Sequence, residues 1–477
     1  MTPRLAALAV IGAVTAWRLM VLAWASPNLS FDEAQYWFWA QDLAFGYYSK
    51  PPLVAWAIAA TTLLCGEGEA CVKLSSPLAW AFAAWMAWAA GARLWGPRAG
   101  FWAAALFITL PGVSLSAMVV STDPLLLAAW AAGLAALARA LDDDRPASWL
   151  LVGLAVGVGL LAKYAMAFFL PCLVLFLAWS RRPVVSWRLA AVVGPAALFT
   201  LPNLAWNAAN GFVSYLHTRD NANLKGALFN PDKLAEFVGG QFAVFGPLTF
   251  GLLLFLFLRP PREERVRLTL CFSAPILAFF AVQAFLSRAN ANWAAAAYPA
   301  GVLLVAGWAS ERARGLALLR ASLALHLVAA AALYDFDAAR AAVGLGETER
   351  YDILKRVRGW DRAGAEVGRM LAAHPGARLL VDERKLLATL LYYVTPHPFD
   401  ALKWNPGGRL SDHFDLTMSL REPGADVVLI TDGPDAQHVA PHFAKATPLG
   451  EIRVPIHADY QILLRAWLLE DFQGYAP

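Results

Sequence analysis

The stretch Ala99-Gly100-Phe101-Trp102-Ala103-Ala104-Ala105-Leu106-Phe107-Ile108-Thr109-Leu110-Pro111-Gly112-Val113-Ser114-Leu115-Ser116-Ala117-Met118-Val119 holds 21 residues without a charge, with Arg98 before it and Ser121-Thr122-Asp123-Pro124 after it. A helix needs about 20 apolar residues to cross the hydrocarbon core of a bilayer. This run therefore reads as a membrane span with an arginine at one mouth and an acid at the other. Runs of the same kind lie near 5–25, 72–92, 123–141, 147–162, 165–180, 187–205, 236–258, 268–286, 293–309 and 315–334. Together they predict an α-helical polytopic membrane protein with about 11 transmembrane helices.

Composition points the same way. Of the 477 residues, 59% are hydrophobic and 16% charged, and mean hydropathy is +0.50. Soluble domains run near a quarter charged, and a single soluble core stops growing near roughly 250–300 residues. The 20 Trp and 27 Phe suit aromatic belts at the bilayer interfaces. Net charge is +4, mostly loop arginine, and no basic run is interleaved with aromatics. Membrane lipids are expected partners and nucleic acid is not.

The arginines set an orientation. Arg93 and Arg98, Arg145, Arg181 and Arg182, the group 259–267, and Arg312 with Arg314 fall on alternate loops. With Arg4 they mark the cytoplasmic side. Loops 26–71, 120–122, 206–235 and 287–292 then face outward, and eleven spans put the tail outside as well. Ala23-Trp24-Ala25 imitates a signal-peptide cleavage site, but Arg18 interrupts the apolar stretch. The N-terminal helix is therefore read as an uncleaved anchor.

Beyond about residue 335 charges become frequent. Residues 361–373 read as an amphipathic helix, with a helix near 384–394 and strands at 378–381, 426–431, 450–456 and 460–467. The expected domains are a membrane part, 1–334, whose first external loop is 26–71, and a small soluble α/β domain, 335–477.

The first external loop carries Ser30-Phe31-Asp32-Glu33-Ala34-Gln35-Tyr36-Trp37-Phe38-Trp39. Ser30 with Glu33 three residues on is a capping box, so a helix starts here. Asp32 has two readings. Acids are ordinary in a first helical turn; equally, a helix N-terminus keeps a carboxylate ionised, which suits a base rather than an acid. Lys50 in Tyr47-Tyr48-Ser49-Lys50-Pro51-Pro52 either snorkels to the interface or grips a phosphate as a point charge. Asp123 either caps its helix or serves function at a costly position. His217 and Arg219 have the donors to hold phosphate oxygens, as would residues of any solvated loop. Asn290, Asn292 and Trp293, with Tyr298 one turn on, form a polar and aromatic rim, and Lys163-Tyr164 lies on the same side. Cys65 and Cys71 flank a short loop at a spacing that permits a disulfide in an oxidising compartment. Cys172 and Cys271 sit in apolar runs as packing residues. No Walker, GxGxxG, HExxH or GxSxG pattern occurs, so a nucleotide donor and a hydrolase triad lack support.

In this order and on these loops, Asp32-Glu33, Tyr47-Tyr48-Ser49-Lys50-Pro51-Pro52-Leu53, Ser121-Thr122-Asp123-Pro124, Leu161-Ala162-Lys163-Tyr164, Gly240-Gln241-Phe242 with Gly246-Pro247, and Asn292-Trp293 to Pro299 resemble the C-type (GT-C) glycosyltransferases that use lipid-linked sugars. The nearest branch holds the bacterial protein-mannosyltransferase-like enzymes and the aminoarabinose transferases of lipid A. The resemblance spans most of residues 28–310. It implies transfer of one sugar from a polyprenyl (undecaprenyl) phosphate to a lipid or glycolipid acceptor, lipid A or lipopolysaccharide, at the outer face of a bacterial inner membrane, by direct inverting displacement. It assigns Asp32 as general base and Asp123 as a second acid that orients the acceptor or positions the loop. Lys50 takes the donor phosphate, with Glu33, Tyr36, Tyr47, His217, Arg219 and Tyr298 around the donor. Where some relatives have a glutamate before the lysine, this chain has Ser49, so no metal is carried over and no cofactor is required. The rival readings are a transporter or flippase of a lipid-linked precursor, and a protein O-glycosyltransferase.

Overall fold

The computed structural model describes residues 1–220 and 228–475. The chain divides into two compact units. The first comprises Met1–Ala25, Lys50–Ala57 and Lys73–Ala339; the second comprises Ser26–Ser49, Ile58–Val72 and Arg340–Pro477. Most of the first loop therefore folds together with the tail.

The first unit is helical. Among the described residues six helices are long and apolar enough to cross a membrane: Pro3–Ala25, Thr122–Asp143, Trp187–Ala209, Glu264–Leu286, Ala291–Ser310 and Ala313–Tyr334. Pro231–Phe245 and Pro247–Leu258 supply a seventh if that pair, bent by 116°, is one span. Leu53–Cys65, Pro146–Ala162 and Tyr164–Trp179 are apolar but shorter. Ala291–Ser310 is 89% buried along its apolar stretch and is central to the unit, whereas Trp187–Ala209 is only 17% buried and lies at the unit's surface.

Two runs read as single spans are broken. Helix Pro97–Thr109 stops at Leu110, whose ψ of 136° leaves the helical region, and Pro111–Ser116 restarts it. Proline offers no N–H and crowds the residue before it out of the α conformation. The buried Arg18 completes this break, donating from Nη2 to the Ile108 carbonyl at 2.5 Å and from Nε to the Tyr334 hydroxyl at 2.8 Å. The charge that interrupts the first apolar run is thus used inside the unit. The other break, in 236–258, falls at Gly246, which has φ +86°. A side chain there would be strained and would meet His326, since a Cβ would sit 2.1 Å from its Nε2.

The second unit holds one five-stranded sheet of β1 (Arg378–Val381), β2 (Leu402–Lys403), β3 (Val427–Thr431), β4 (Phe443–His457) and β5 (Tyr460–Phe472) in the order β2-β1-β3-β5-β4. β1 runs parallel to β2 and β3, with Leu380 opposite Leu402 and Leu429; β5 runs antiparallel to β3 and β4. β3 is buried along its whole length, as expected for a strand covered on both faces. Helices Trp360–Ala373 and Arg384–Tyr393 match the amphipathic stretches of the tail.

Candidate active site

In the first unit a polar cluster gathers at the heads of membrane helices. Ser121 caps Thr122–Asp143, accepting from the Asp123 amide, and Asp123 is 9% exposed in the first turn. The apolar helix Pro146–Ala162 ends just before Lys163, whose extended backbone (φ −159°, ψ 136°) turns the chain into the 3₁₀ segment Tyr164–Phe168. Lys163 Nζ donates to Asp123 Oδ1 at 2.6 Å, and Asn292 Nδ2 donates to Oδ2 at 2.8 Å. Both carboxylate oxygens are thus engaged, as a buried acid requires. Lys50 lies within electrostatic reach of Asp123. Next to Asn292, the Ala291 carbonyl accepts from Gln241 Nε2 at 3.2 Å, and the buried Tyr298 hydroxyl donates to Gln241 Oε1 at 2.7 Å. Two hydrogen-bonded groups, adjoining through the Ala291–Asn292 peptide, thus bring together the Ser-Thr-Asp-Pro, Ala-Lys-Tyr, Gly-Gln-Phe and Asn-Trp motifs.

In the second unit, helix Phe31–Gln41 begins with the capping box: Ser30 Oγ accepts from the Glu33 amide, and Glu33 Oε2 accepts from the Ser30 amide at 2.9 Å. Glu33 is 1% exposed, while the Asp32 side chain is 51% exposed. Arg384 Nη1 donates to Asp32 Oδ1 at 3.2 Å and to Gln35 Oε1 at 2.6 Å. Tyr47 is buried and stacked on Trp39 with ring centroids 4.6 Å apart. Its hydroxyl donates to the Trp39 carbonyl at 2.9 Å and accepts from the Ala44 amide at 3.1 Å. Burial pushes the Tyr47 phenol up to about 12. Tyr36 is likewise buried against Trp39. His413 packs edge-on to Trp39 and Tyr47, and burial lowers its imidazole to about 4. Cys65 and Cys71 are joined by a disulfide.

The candidate residues therefore fall into several groups. Asp123 and Tyr298 belong to these two adjoining groups, with Lys50 in electrostatic range of Asp123. Asp32 stands on the second unit beside Arg384. Glu33 is taken up by helix capping, and Tyr47 by the loop's own backbone. His217 and Arg219 lie on helix Val213–Asp220; Arg219 pairs with Asp220 beside it, and residues 221–227 of that loop lie outside the described part. Among the described residues no group of three or more His, Cys, Asp or Glu is placed to hold a metal. On sequence, Lys163 and Gln241 stand only as members of their motifs, and Gln35 and Arg384 carry no site role. A lysine closing an apolar run on the arginine-poor side was a signal for Lys163. Arg384 carries no local signal, since its partner lies 352 residues away.

Residues 49–206 match the family model described as dolichyl-phosphate-mannose-protein mannosyltransferase. Over 445 residues, 91% of this chain and 92% of the relative, the chain is 33% identical to the lipid A galacturonosyltransferase RgtD of Rhizobium johnstonii. It is 29% identical over 35% of its length, and 31% of the relative's, to undecaprenyl phosphate-alpha-4-amino-4-deoxy-L-arabinose arabinosyl transferase 1 of Pseudomonas fluorescens. The fold is similar to that of ArnT from Cupriavidus metallidurans bound to undecaprenyl phosphate, with a TM-score of 0.67 at 16% identity over 96% of this chain and 97% of that one. Matching RgtD along nine-tenths of both chains, with the motif-bearing loops meeting in two adjoining hydrogen-bonded groups, the protein belongs to the C-type membrane glycosyltransferases, in the branch that contains RgtD and the aminoarabinose transferases.

Proposed function

We propose that this enzyme moves a single sugar, a hexuronosyl residue as for RgtD, from undecaprenyl phosphate to lipid A or the lipopolysaccharide core. The observation that carries the reading is the likeness to RgtD along almost the whole of both chains. The cluster of Lys50, Asp123, Lys163 and Asn292 at the heads of membrane helices adds to it, because a lipid-borne phosphate presents its charge at that depth. The reading includes eleven spans in a bacterial inner membrane, a membrane part over 1–334, and a first loop and a soluble domain over 335–477 on the periplasmic side.

In the proposed step an acceptor hydroxyl attacks the anomeric carbon and its proton passes to the Asp32 carboxylate. The bond from that carbon to the phosphate oxygen breaks, and its electron pair leaves with the polyprenyl phosphate. Lys50 offsets the added phosphate charge. One displacement inverts the anomeric centre. Asp123, held by Lys163 and Asn292, orients the acceptor or positions its loop; Tyr298 and Gln241 brace Asn292 through the Ala291 carbonyl. Tyr36 and Tyr47 shape the loop, and His217 and Arg219 complete the basic surround of the donor.

A second reading has one observation in its favour: the matched family model is named for a protein acceptor. Mass spectrometry of envelope lipids with and without the gene separates the two. Loss of one hexuronosyl mass from lipid A or core, with the polyprenyl-linked sugar accumulating, is the expected result. Unchanged glycolipids and a lost sugar on a protein favour the second reading. Asp32→Asn supplied in place of the wild type restores no transfer; full restoration would remove Asp32 as the base.

A further inference from the structure

The turn Asp382-Glu383 leads from the end of β1 into helix Arg384–Tyr393, and the Glu383 side chain caps that helix by accepting from the amides of Lys385 and Leu386. The cap fixes where Arg384 starts. Its guanidinium then meets three residues of one helical face: it lies 5.1 Å from the Phe31 ring centroid, 2.6 Å from Gln35 Oε1 and 3.2 Å from Asp32 Oδ1. Phe31, Asp32 and Gln35 stand at i, i+1 and i+4, so the face forms only because residues 31–41 are helical. The contact takes one oxygen of Asp32. Among the described residues Oδ2 accepts no hydrogen bond, and the side chain is half exposed.

A half-exposed aspartate in a first helical turn has several rotamers, and some fold the carboxylate back onto free backbone amides. Such an acid caps its helix and presents nothing. A planar guanidinium fixed by an amide oxygen on one side and a ring on the other selects a single arrangement. Resting on the reading of Asp32 as base, we propose that Arg384 is the positioning residue for Asp32: it holds Oδ1 so that Oδ2 is left to take the acceptor's proton. The tail thereby contributes directly to the chemistry, through an arginine that reads on sequence as an ordinary residue of a soluble domain. Because the pair is partly solvated, its loss costs the fold little, so its effect on catalysis is measurable apart from stability.

The experiment uses the full chain in lipid nanodiscs, with purified lipid A as acceptor. Arg384→Ala lowers kcat by roughly 10- to 100-fold, the cost of a misplaced catalytic group, with KM for lipid A within about twofold on the same account. Arg384→Lys keeps the charge but not the fork and falls between. Gln35→Ala, which frees the guanidinium on one side, lowers kcat less than Arg384→Ala does. Titration of lipid A onto Asp32→Asn and onto the double variant Asp32→Asn/Arg384→Ala gives equal affinities. A wild-type kcat for Arg384→Ala overturns the proposal. Weaker lipid A binding by the double variant also overturns it and makes Arg384 an acceptor ligand. If Asp32→Asn alone turns over normally, it is the base reading that fails, and the two failures are told apart by that single variant.

Discussion

Lys163 Nζ closes on Asp123 Oδ1 at 2.6 Å across 40 residues of sequence, from the point where one apolar helix ends to the point where another begins. The side chains are 24% and 13% exposed, so the pair is neither a surface bridge nor fully dry. Such a pair contributes little when intact, but removing one partner strands the other.

Lys163→Met should therefore destabilise the protein by about 2–3 kcal/mol, below the range for a fully buried charge, and should lower transfer. Asp123→Asn should cost less, because Asn292 still has an oxygen to bond. The double variant should lose less than the sum of the singles, since no charge is left stranded. Thermal unfolding in one detergent across the four proteins measures this; strict additivity would mean that the two groups do not interact.

Gly246 stands at the 116° break with φ +86°, and a Cβ there would overlap His326 Nε2 and lie 2.8 Å from Thr249 Oγ1. Gly246→Ala should cost about 2–4 kcal/mol from left-handed strain plus overpacking. Gly251 has nothing within 4 Å and lies inside helix Pro247–Leu258. Gly251→Ala should be neutral or slightly stabilising on helix propensity. Melting temperatures of the two variants decide the matter.

His413 is held neutral by burial, with its imidazole lowered from 6.5 to about 4. Protonation then favours the unfolded state. The stability it supports is present above pH 6.5 and is lost as pH falls toward 4, up to about 3 kcal/mol. His413→Phe fills the same aromatic niche beside Trp39 and Tyr47 and should flatten that part of the curve. Unfolding midpoints between pH 7 and pH 4 test it: parallel curves for the two proteins would show that His413 does not carry the slope.

The Cys65–Cys71 disulfide closes a short loop whose Glu67 carbonyl accepts from the Tyr392 hydroxyl at 2.7 Å and whose Glu69 accepts from Asn28 Nδ2 at 3.0 Å. Replacing both cysteines with serine should cost about 2 kcal/mol by loop-closure entropy and should loosen these contacts first. Hydrogen exchange at residues 66–72 would rise, while β3 stays protected. Uniform exchange across the unit would contradict a local role.

Much of the molecule was legible in its residues, because the signals are local. Apolar length marked the six helices that, among the described residues, are long and apolar enough to cross a membrane. Ser30 and Glu33 announced the start of Phe31–Gln41, and the changed composition marked the α/β tail. The bends at Pro111 and Gly246 were not read, although a proline and a glycine stood there, because hydropathy averages over such breaks. The short strand β2 was missed because two residues carry no period; its place comes from pairing with β1.

Side-chain partners depended on the tertiary structure. Asp123 could be named from Ser-Thr-Asp-Pro, but that Lys163 and Asn292 would divide its two oxygens rests on helices 40 and 169 residues away. Glu33 and Asp32 are neighbours of one type, yet one closes a cap and the other stays half exposed against Arg384. Residue type and spacing select an element and its ends, since those energies are local. Glu33 is taken up by a cap within its own turn, whereas the partner of Asp32 comes from a segment 352 residues away and exists only once the chain has packed.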